Sequence, residues 1–448
     1  WRPLRRRAEI GLVHSLAAAP LLLLWLIAPA LCYWLSLPLR RLQISLDAQQ
    51  LDFLHRIARK TWAFFDQFVV AEDHWLPPDN FQLLPGPVTA HRTSPTNIGL
   101  GLLANLAAHD FAYISTATLL TRTANTLSSM ARLERHQGHF YNWYDTRSLQ
   151  PLPPRYISSV DSGNLAGHLL TLRIGLLALP YQAIGSPRLL AGLSECLAVV
   201  EHSFGDTPNA ALLNTRRQLD TLRKQLPSTL RTQLRGLQAL SELAAALAAE
   251  ESGDAEQRYW TDAFWRQCLD LSADLVYLAP WLNHPAGQGA DAQAFDELIQ
   301  QGIHGEVGAI PTLRALAGQR APQLALQEPS LSLSSAAQWR AEVPALLALS
   351  RERARERIAT SVQLAAQVND FAQMAYAFLY DGARHLLAVG YNVDQFRRDT
   401  SYYDLLASEA RLACFVAIAQ GQLPQESWFA LGRLLTRAGG EPILVSWS

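Results

Sequence analysis

The chain has 448 residues, 49% hydrophobic and 17% charged, with a formal net charge of −1. That balance excludes a disordered, collagen-like or disulfide-scaffold protein, and it gives no reason to expect nucleic acid as a partner. The length allows two or three folded units, and the start at Trp1 and the stop at Ser448 read as cuts through something longer.

Residues 1–10 form a basic flank with Arg2, Arg5, Arg6 and Arg7, and residues 10–39 hold no Asp, Glu, Lys or Arg. At ~1.5 Å per residue such a run reaches the ~30 Å of a bilayer core, which predicts a transmembrane helix over residues 11–38. Trp25, Tyr33 and Trp34 suit interfacial anchors. Pro20, Pro29 and Pro38 allow a kinked or re-entrant path, and Arg40, Arg41, Arg56, Arg59 and Lys60 balance the first flank too closely to orient the span.

Beyond it, apolar residues at three- and four-residue steps predict an amphipathic helix over 51–70. A second is expected over 96–108, with Thr93 and Ser94 as capping hydroxyls and Pro95 in its first turn. Others are expected over 115–135 and 164–177. Between them, residues 72–92 and 136–162 are too rich in Pro, Asp, Asn and Gly to be regular elements. Residues 185–368 turn to Leu and Ala, with long helices expected over 219–247 and 350–378, and arginine-rich faces that read as solvated surface. A richer texture returns from residue 371, followed by a helix over 405–419. No segment sustains a period of two, so the fold is mainly α.

The four cysteines, Cys32, Cys196, Cys268 and Cys414, are far apart and form no CxxC pair, which predicts free thiols and no metal site. There is also no GxxxxGK[ST], GxGxxG after a strand, HExxH or GxSxG motif. What remains is carboxylate, amide and aromatic residues gathered in the loops. A sugar presents an apolar face that stacks on Tyr or Trp and a rim of hydroxyls held by Asp, Asn, Gln and Arg. Cleavage or transfer at a glycosidic bond adds a carboxyl pair, with Asp145, Asp161, Asp404 and Glu409 as candidates by type. Each has a structural alternative: Asp161 as the cap of the helix near Asn164, Asp145 as the cap of a turn, and the Tyr141, Trp143 and Tyr144 cluster as core packing. Glu409 shares a helix face with Leu405 or Leu412 and should be buried and paired.

Five runs carry a family resemblance: DHWLPPDNFQ at 73–82, HRTSPTNIGL at 91–100, GHFYNWYDT at 138–146, VDSGNLAGH at 160–168 and SYYDLLASEAR at 401–411. In these the chain resembles the glycoamylase-like region of bacterial cyclic β-1,2-glucan synthases. The resemblance implies part of an (α/α)6 barrel, split into residues 39–184 and 370–448 around a helical insert at 185–369. It implies that the domain closes linear β-1,2-glucan into rings by retaining transglycosylation, in an enzyme of the bacterial inner membrane whose soluble part faces the cytoplasm. The matched loops would then bind glucan through Asp79, Asn80, Gln82, Arg92, Thr93, Asn97, Tyr141, Asn142, Trp143, Tyr144, Asn164, Tyr402, Tyr403, Asp404 and Glu409. Asp145 and Asp161 are the catalytic candidates, with further carboxylates expected beyond residue 448. The expected partners are a β-1,2-glucan chain, the bilayer and the rest of the polypeptide. No cofactor is expected in this segment; UDP-glucose and a divalent metal belong to a glucosyltransferase domain that the chain lacks. Two other readings are a β-1,2-glucan hydrolase and a membrane-anchored helical binding or assembly module.

Overall fold

The computed structural model describes residues 2–37, 45–205, 209–225, 228–249, 254–288, 292–303, 310–318 and 333–446. The chain falls into two compact units, Trp1–Leu51 and Asp52–Ser448. The first holds α1 (Arg2–Ser36), which runs through Pro20 and Pro29 as one helix. Its stretch Ala18–Ser36 has a mean hydropathy of 1.9 and is long and apolar enough to cross a membrane. Leu21, Trp25 and Trp34 stand well exposed there, a surface better matched to lipid than to water. Pro38, Arg40 and Arg41 lie outside the described residues.

Helix α2 (Ala48–Phe68) leads into the second unit, followed by α3 (Pro95–Asp110), α4 (Thr116–Met130), α5 (Ser159–Ala178) and α6 (Arg188–Phe204). Then come α7 (Ala210–Gln225), α8 (Leu230–Ala248), α9 (Ala255–Leu278), α10 (Ala292–Gly302), α11 (Leu313–Ala317), α12 (Leu333–Phe371), α13 (Ala410–Ala419) and α14 (Glu426–Ala430). Hydroxyl caps set several starts: Ser94 accepts from Asn97 N ahead of α3, and Ser158 accepts from Asp161 N ahead of α5.

Five helix expectations need correction, and the first of them, that over 164–177, already opens at Ser159 behind the Ser158 cap. The run 219–247 is broken, because α7 stops at Gln225 and α8 restarts behind a capping box of Thr229 and Thr232, with Pro227 in the sequence between them. The helix expected over 350–378 already runs at Leu333 and ends at Phe371. That over 115–135 ends at Met130, since Arg135 and His136 pair with Phe140 and His139. That over 405–419 begins only at Ala410, because the backbone before it is drawn to a later segment: Gly432 N donates to Asp404 O and Leu406 N to Gly432 O.

The second unit has two hydrophobic cores. One gathers side chains of α3, α4, α5, α13 and the end of α12, among them Leu102, Leu127, Leu169, Val368 and Ala417. The other gathers α6 to α11 and the first part of α12, among them Val200, Leu237, Phe264, Leu316 and Leu347. Helix α12 thus serves both. Around α5 the packing is close enough that a Cβ on Gly163 would meet Ala413 Cα at 2.2 Å.

Short strands tie the loops: β1 (Phe81–Gln82) with β2 (Val88–Thr89), β3 (Arg92–Thr93) with β6 (Tyr144–Asp145), and β4 (Arg135–His136) with β5 (His139–Phe140). Strand β7 (Tyr156–Ser158) joins β10 (Gly390–Asn392) and β11 (Arg397–Arg398). Strands β8 (Tyr380–Asp381) and β9 (Leu386–Leu387) pair, as do β12 (Leu435–Ala438) and β13 (Glu441–Leu444). All are too short for a period of two to show in the sequence.

Candidate functional site

The site is built where α3 and α5 begin. Asp161 is not the cap of α5; that is Ser158, whose hydroxyl accepts from Asp161 N at 3.2 Å. Asp161 sits in the first turn instead, where the helix dipole favours a negative charge. Thr96 Oγ1 donates to its Oδ1 at 2.6 Å, and Asn164 Nδ2 donates to Thr96 Oγ1 at 3.3 Å. With the Asn142 amide turned so that both its atoms are satisfied, Nδ2 donates to Asp161 Oδ2 at 2.9 Å and Oδ1 accepts from Trp143 Nε1 at 3.2 Å. The phenol of Tyr403 is pushed up by burial and by the charges of Glu409 and Asp161, which places all three in one neighbourhood.

A second group adjoins it. Arg92 Nε and Nη2 donate to Asp79 Oδ2 at 3.1 and 2.8 Å, and Asn80 Nδ2 donates to the same oxygen at 3.1 Å. Asn97, next to Thr96, reaches Asp79 Oδ1 at 3.5 Å. The Arg92 guanidinium lies 4.5 Å from the centre of the Trp143 ring. The β3–β6 ladder, with Arg92 opposite Asp145 and Thr93 opposite Tyr144, holds these loops together. Asp79, Asn80, Arg92, Asn97, Asn142, Trp143, Asp161, Asn164 and Tyr403 therefore form one polar and aromatic surface.

The other expected site residues, apart from Glu409 near Tyr403, have different surroundings. Asp145 closes a turn: its Oδ1 accepts from Arg147 N, Ser148 N and Ser148 Oγ, and these bonds, Ser148 N first, lower its pKa. Tyr144 is fully buried, with its hydroxyl donating to Glu134 O at 2.6 Å and accepting from Tyr141 N at 2.7 Å. Tyr141 is buried beside it, so neither ring offers a stacking face. Thr93 is buried too. Gln82 is exposed on the β1–β2 hairpin. Tyr402 donates to Asp381 Oδ2 at 2.7 Å beneath Arg384, in a separate cluster. Asp404 is exposed. Glu409, expected to be buried, is exposed, because residues 405–409 are not helical and no stripe turns it inward.

Buried groups brace the site. Asp73 Oδ1 accepts from Thr146 Oγ1 at 2.5 Å and pairs with His91 Nδ1 at 2.8 Å. His139 is fully buried; its Nε2 donates to Ala375 O at 3.0 Å, and its Nδ1 shares the Ser162 hydroxyl with Ser158 O. Burial lowers its pKa to about 4, so the ring is neutral near pH 7. Thr96 and His139 are not among the expected binding residues, although they stand in the matched runs at 91–100 and 138–146. Among the described residues no group of three His, Cys, Asp or Glu side chains could hold a metal ion. A cavity of about 280 Å³ lies elsewhere, between His109, Thr116, Gln182, Leu189, Asp274 and Leu313.

The site thus offers a carboxylate whose two oxygens are held by neutral donors, a guanidinium fixed over an indole, and amides in reach of both. It can bind a ligand that has hydroxyls and an apolar face, with one oriented carboxyl beside it.

No protein-family model matches the chain. Over 436 residues, 96% of its length, the chain is 33% identical to the cyclic beta-(1,2)-glucan synthase NdvB of Rhizobium meliloti strain 1021. It spans 13% of that protein's length. Among solved structures, a Bacteroides fragilis NCTC 9343 protein provisionally described as a glucoamylase aligns with 35% of the chain and 36% of its own, at 18% identity and a TM-score of 0.24.

Proposed function

We propose that the chain is a segment of a membrane-bound cyclic β-1,2-glucan synthase and forms part of the glucan-binding site of the domain that closes linear β-1,2-glucan into rings. Two things support this reading: the similarity along nearly the whole chain to one segment of such a synthase, and the surroundings of Asp161. The second carries it. The two oxygens of Asp161 accept from Thr96 and from Asn142, which fixes the orientation of the carboxyl in the site. Beside it, Trp143 and Arg92 supply a stacking face and donors.

In ring closure by retaining transglycosylation, one carboxyl protonates the glycosidic oxygen, which leaves with its glucan, while another about 5–5.5 Å away bonds to the anomeric carbon; a chain-end hydroxyl then attacks that carbon, gives its proton back to the first carboxylate and releases the second. Asp161 takes the anionic part of this scheme, holding sugar hydroxyls and facing the positive charge that develops at the anomeric carbon. Asp145, committed to its turn, takes no step. The remaining carboxyl comes from another part of the longer polypeptide, as do the polymerisation from UDP-glucose and its divalent metal. The soluble part works on the cytoplasmic side of the inner membrane.

The test is product analysis of the whole synthase. Asp161→Asn should abolish cyclic β-1,2-glucan while linear polymer accumulates. An unchanged yield of rings would refute the role of Asp161, and short linear products alone from the unaltered enzyme would make it a hydrolase.

A further inference from the structure

Helix α2 has two apolar faces. One, carrying Trp62 and Ala63, is buried in the fold. On the other, Phe53, Leu54 and Ile57 are 55%, 47% and 45% exposed. By three- and four-residue steps that face continues from Phe53 through Ile57, Thr61 and Phe64 to Phe68. The Phe64 and Phe68 rings meet at 5.2 Å, and Phe68 meets Phe81 at 4.7 Å, so the apolar face runs on into β1. The hairpin beyond carries Leu83, Leu84 and Val88, at 70%, 85% and 58% exposure. Residues 81–90 contain no charged side chain.

Soluble proteins seldom leave so long an apolar strip bare. What covers it follows from chain connectivity. Residues 37–47 separate α1, which is long and apolar enough to cross a membrane, from the start of α2. Fully extended, that connection reaches at most about 40 Å, so the start of α2 is tethered within that distance of any bilayer that holds α1. Arg56 and Lys60 stand on the polar flank of the same helix, Lys60 with its Nζ 3.5 Å from Glu256 Oε1, and basic side chains at such a flank favour the headgroup level.

We propose that the face running from Phe53 along α2 to Leu84 at the hairpin tip lies in the surface of the lipid bilayer that α1 enters. An amphipathic helix lying in that plane buries its apolar side roughly 5–10 Å into the headgroup boundary. Asp79 and Asn80 directly precede Phe81, so this contact would also fix the loop that holds Arg92. The inference does not depend on the glucan reading.

The test uses the full chain in phosphatidylcholine and phosphatidylglycerol vesicles. An environment-sensitive thiol label is placed on Cys32 of the unaltered chain, or on Phe53→Cys, Leu84→Cys or Phe396→Cys in a Cys32→Ser background. Cys196, Cys268 and Cys414 are buried, and Phe396 is 80% exposed on another hairpin. Nitroxide-bearing lipids should quench the labels at 53 and 84 about as strongly as that at Cys32, and leave the label at 396 bright. Quenching at Cys32 without quenching at 53 and 84 overturns the proposal. So does shielding of 53 and 84 from aqueous iodide without lipid quenching, which would mean a protein partner. Equal quenching at 396, or none at any position, overturns it as well.

Discussion

The hydroxyl of Thr96 donates to Asp161 Oδ1 at 2.6 Å and so joins the first turn of α3 to the first turn of α5. The two residues stand 65 positions apart in the chain. The Asp161 carboxylate is placed by this bond and by Asn142, which makes its orientation a property of two helices and a loop together.

Thr96→Val should lower stability and, by freeing the Asp161 carboxyl to turn, weaken glucan binding. Loss of a hydrogen bond to a carboxylate costs about 1.5–3 kcal/mol, to be read from urea unfolding, and titration should show weaker binding beside it. Thr96→Ser, which keeps the hydroxyl, should restore most of both.

Gly163→Ala tests the packing that holds the site from behind. Its Cβ would lie 2.2 Å from both Cα and Cβ of Ala413, so α13 would have to move off α5. Overpacking of this kind costs about 1–3 kcal/mol, to be read from urea or thermal unfolding.

Tyr144→Phe separates core from site. It strands the Glu134 carbonyl and the Tyr141 amide, both bonded to the buried Tyr144 hydroxyl, at about 1–3 kcal/mol. Unfolding measurements should show that loss, while glucan affinity stays nearly unchanged.

Stability should also fall on acidification. Burial lowers His139 from the ordinary 6.5 to about 4 and lowers His168 in the same direction. Between pH 6.5 and 4 the unfolded chain binds more protons than the folded one, so this contribution is fully present above pH 6.5 and is lost as pH falls through that window. Urea unfolding at stepped pH should show the decline, and His139→Gln should flatten it.

The site was more legible in the sequence than the helices around it. Asp79, Asn142 and Trp143 stand in loops, Arg92 in a two-residue strand and Asn97, Asp161 and Asn164 in the opening turns of α3 and α5, where polar residues without a helical period have few structural uses. Tyr141 and Tyr144 were opaque because nothing local shows that a loop dips into the core. Glu409 was misread for a related reason: its spacing from Leu405 and Leu412 suggests a helix, yet Gly432 claims the backbone at 404–406 first. That is a tertiary pairing overriding a local period. The break between α7 and α8 did have a local signal in Pro227, set within a strong Leu and Ala pattern.

Whether the chain binds glucan at this site is decided by calorimetric titration of the full chain with linear β-1,2-glucan. Trp143 is partly exposed beneath Arg92, so Trp143→Ala can remove the stacking face without opening the core. Saturable binding is expected from the unaltered chain, and clearly weaker binding from Trp143→Ala and Asp161→Asn. Absence of binding at millimolar glucan, or equal binding by all three proteins, would contradict it.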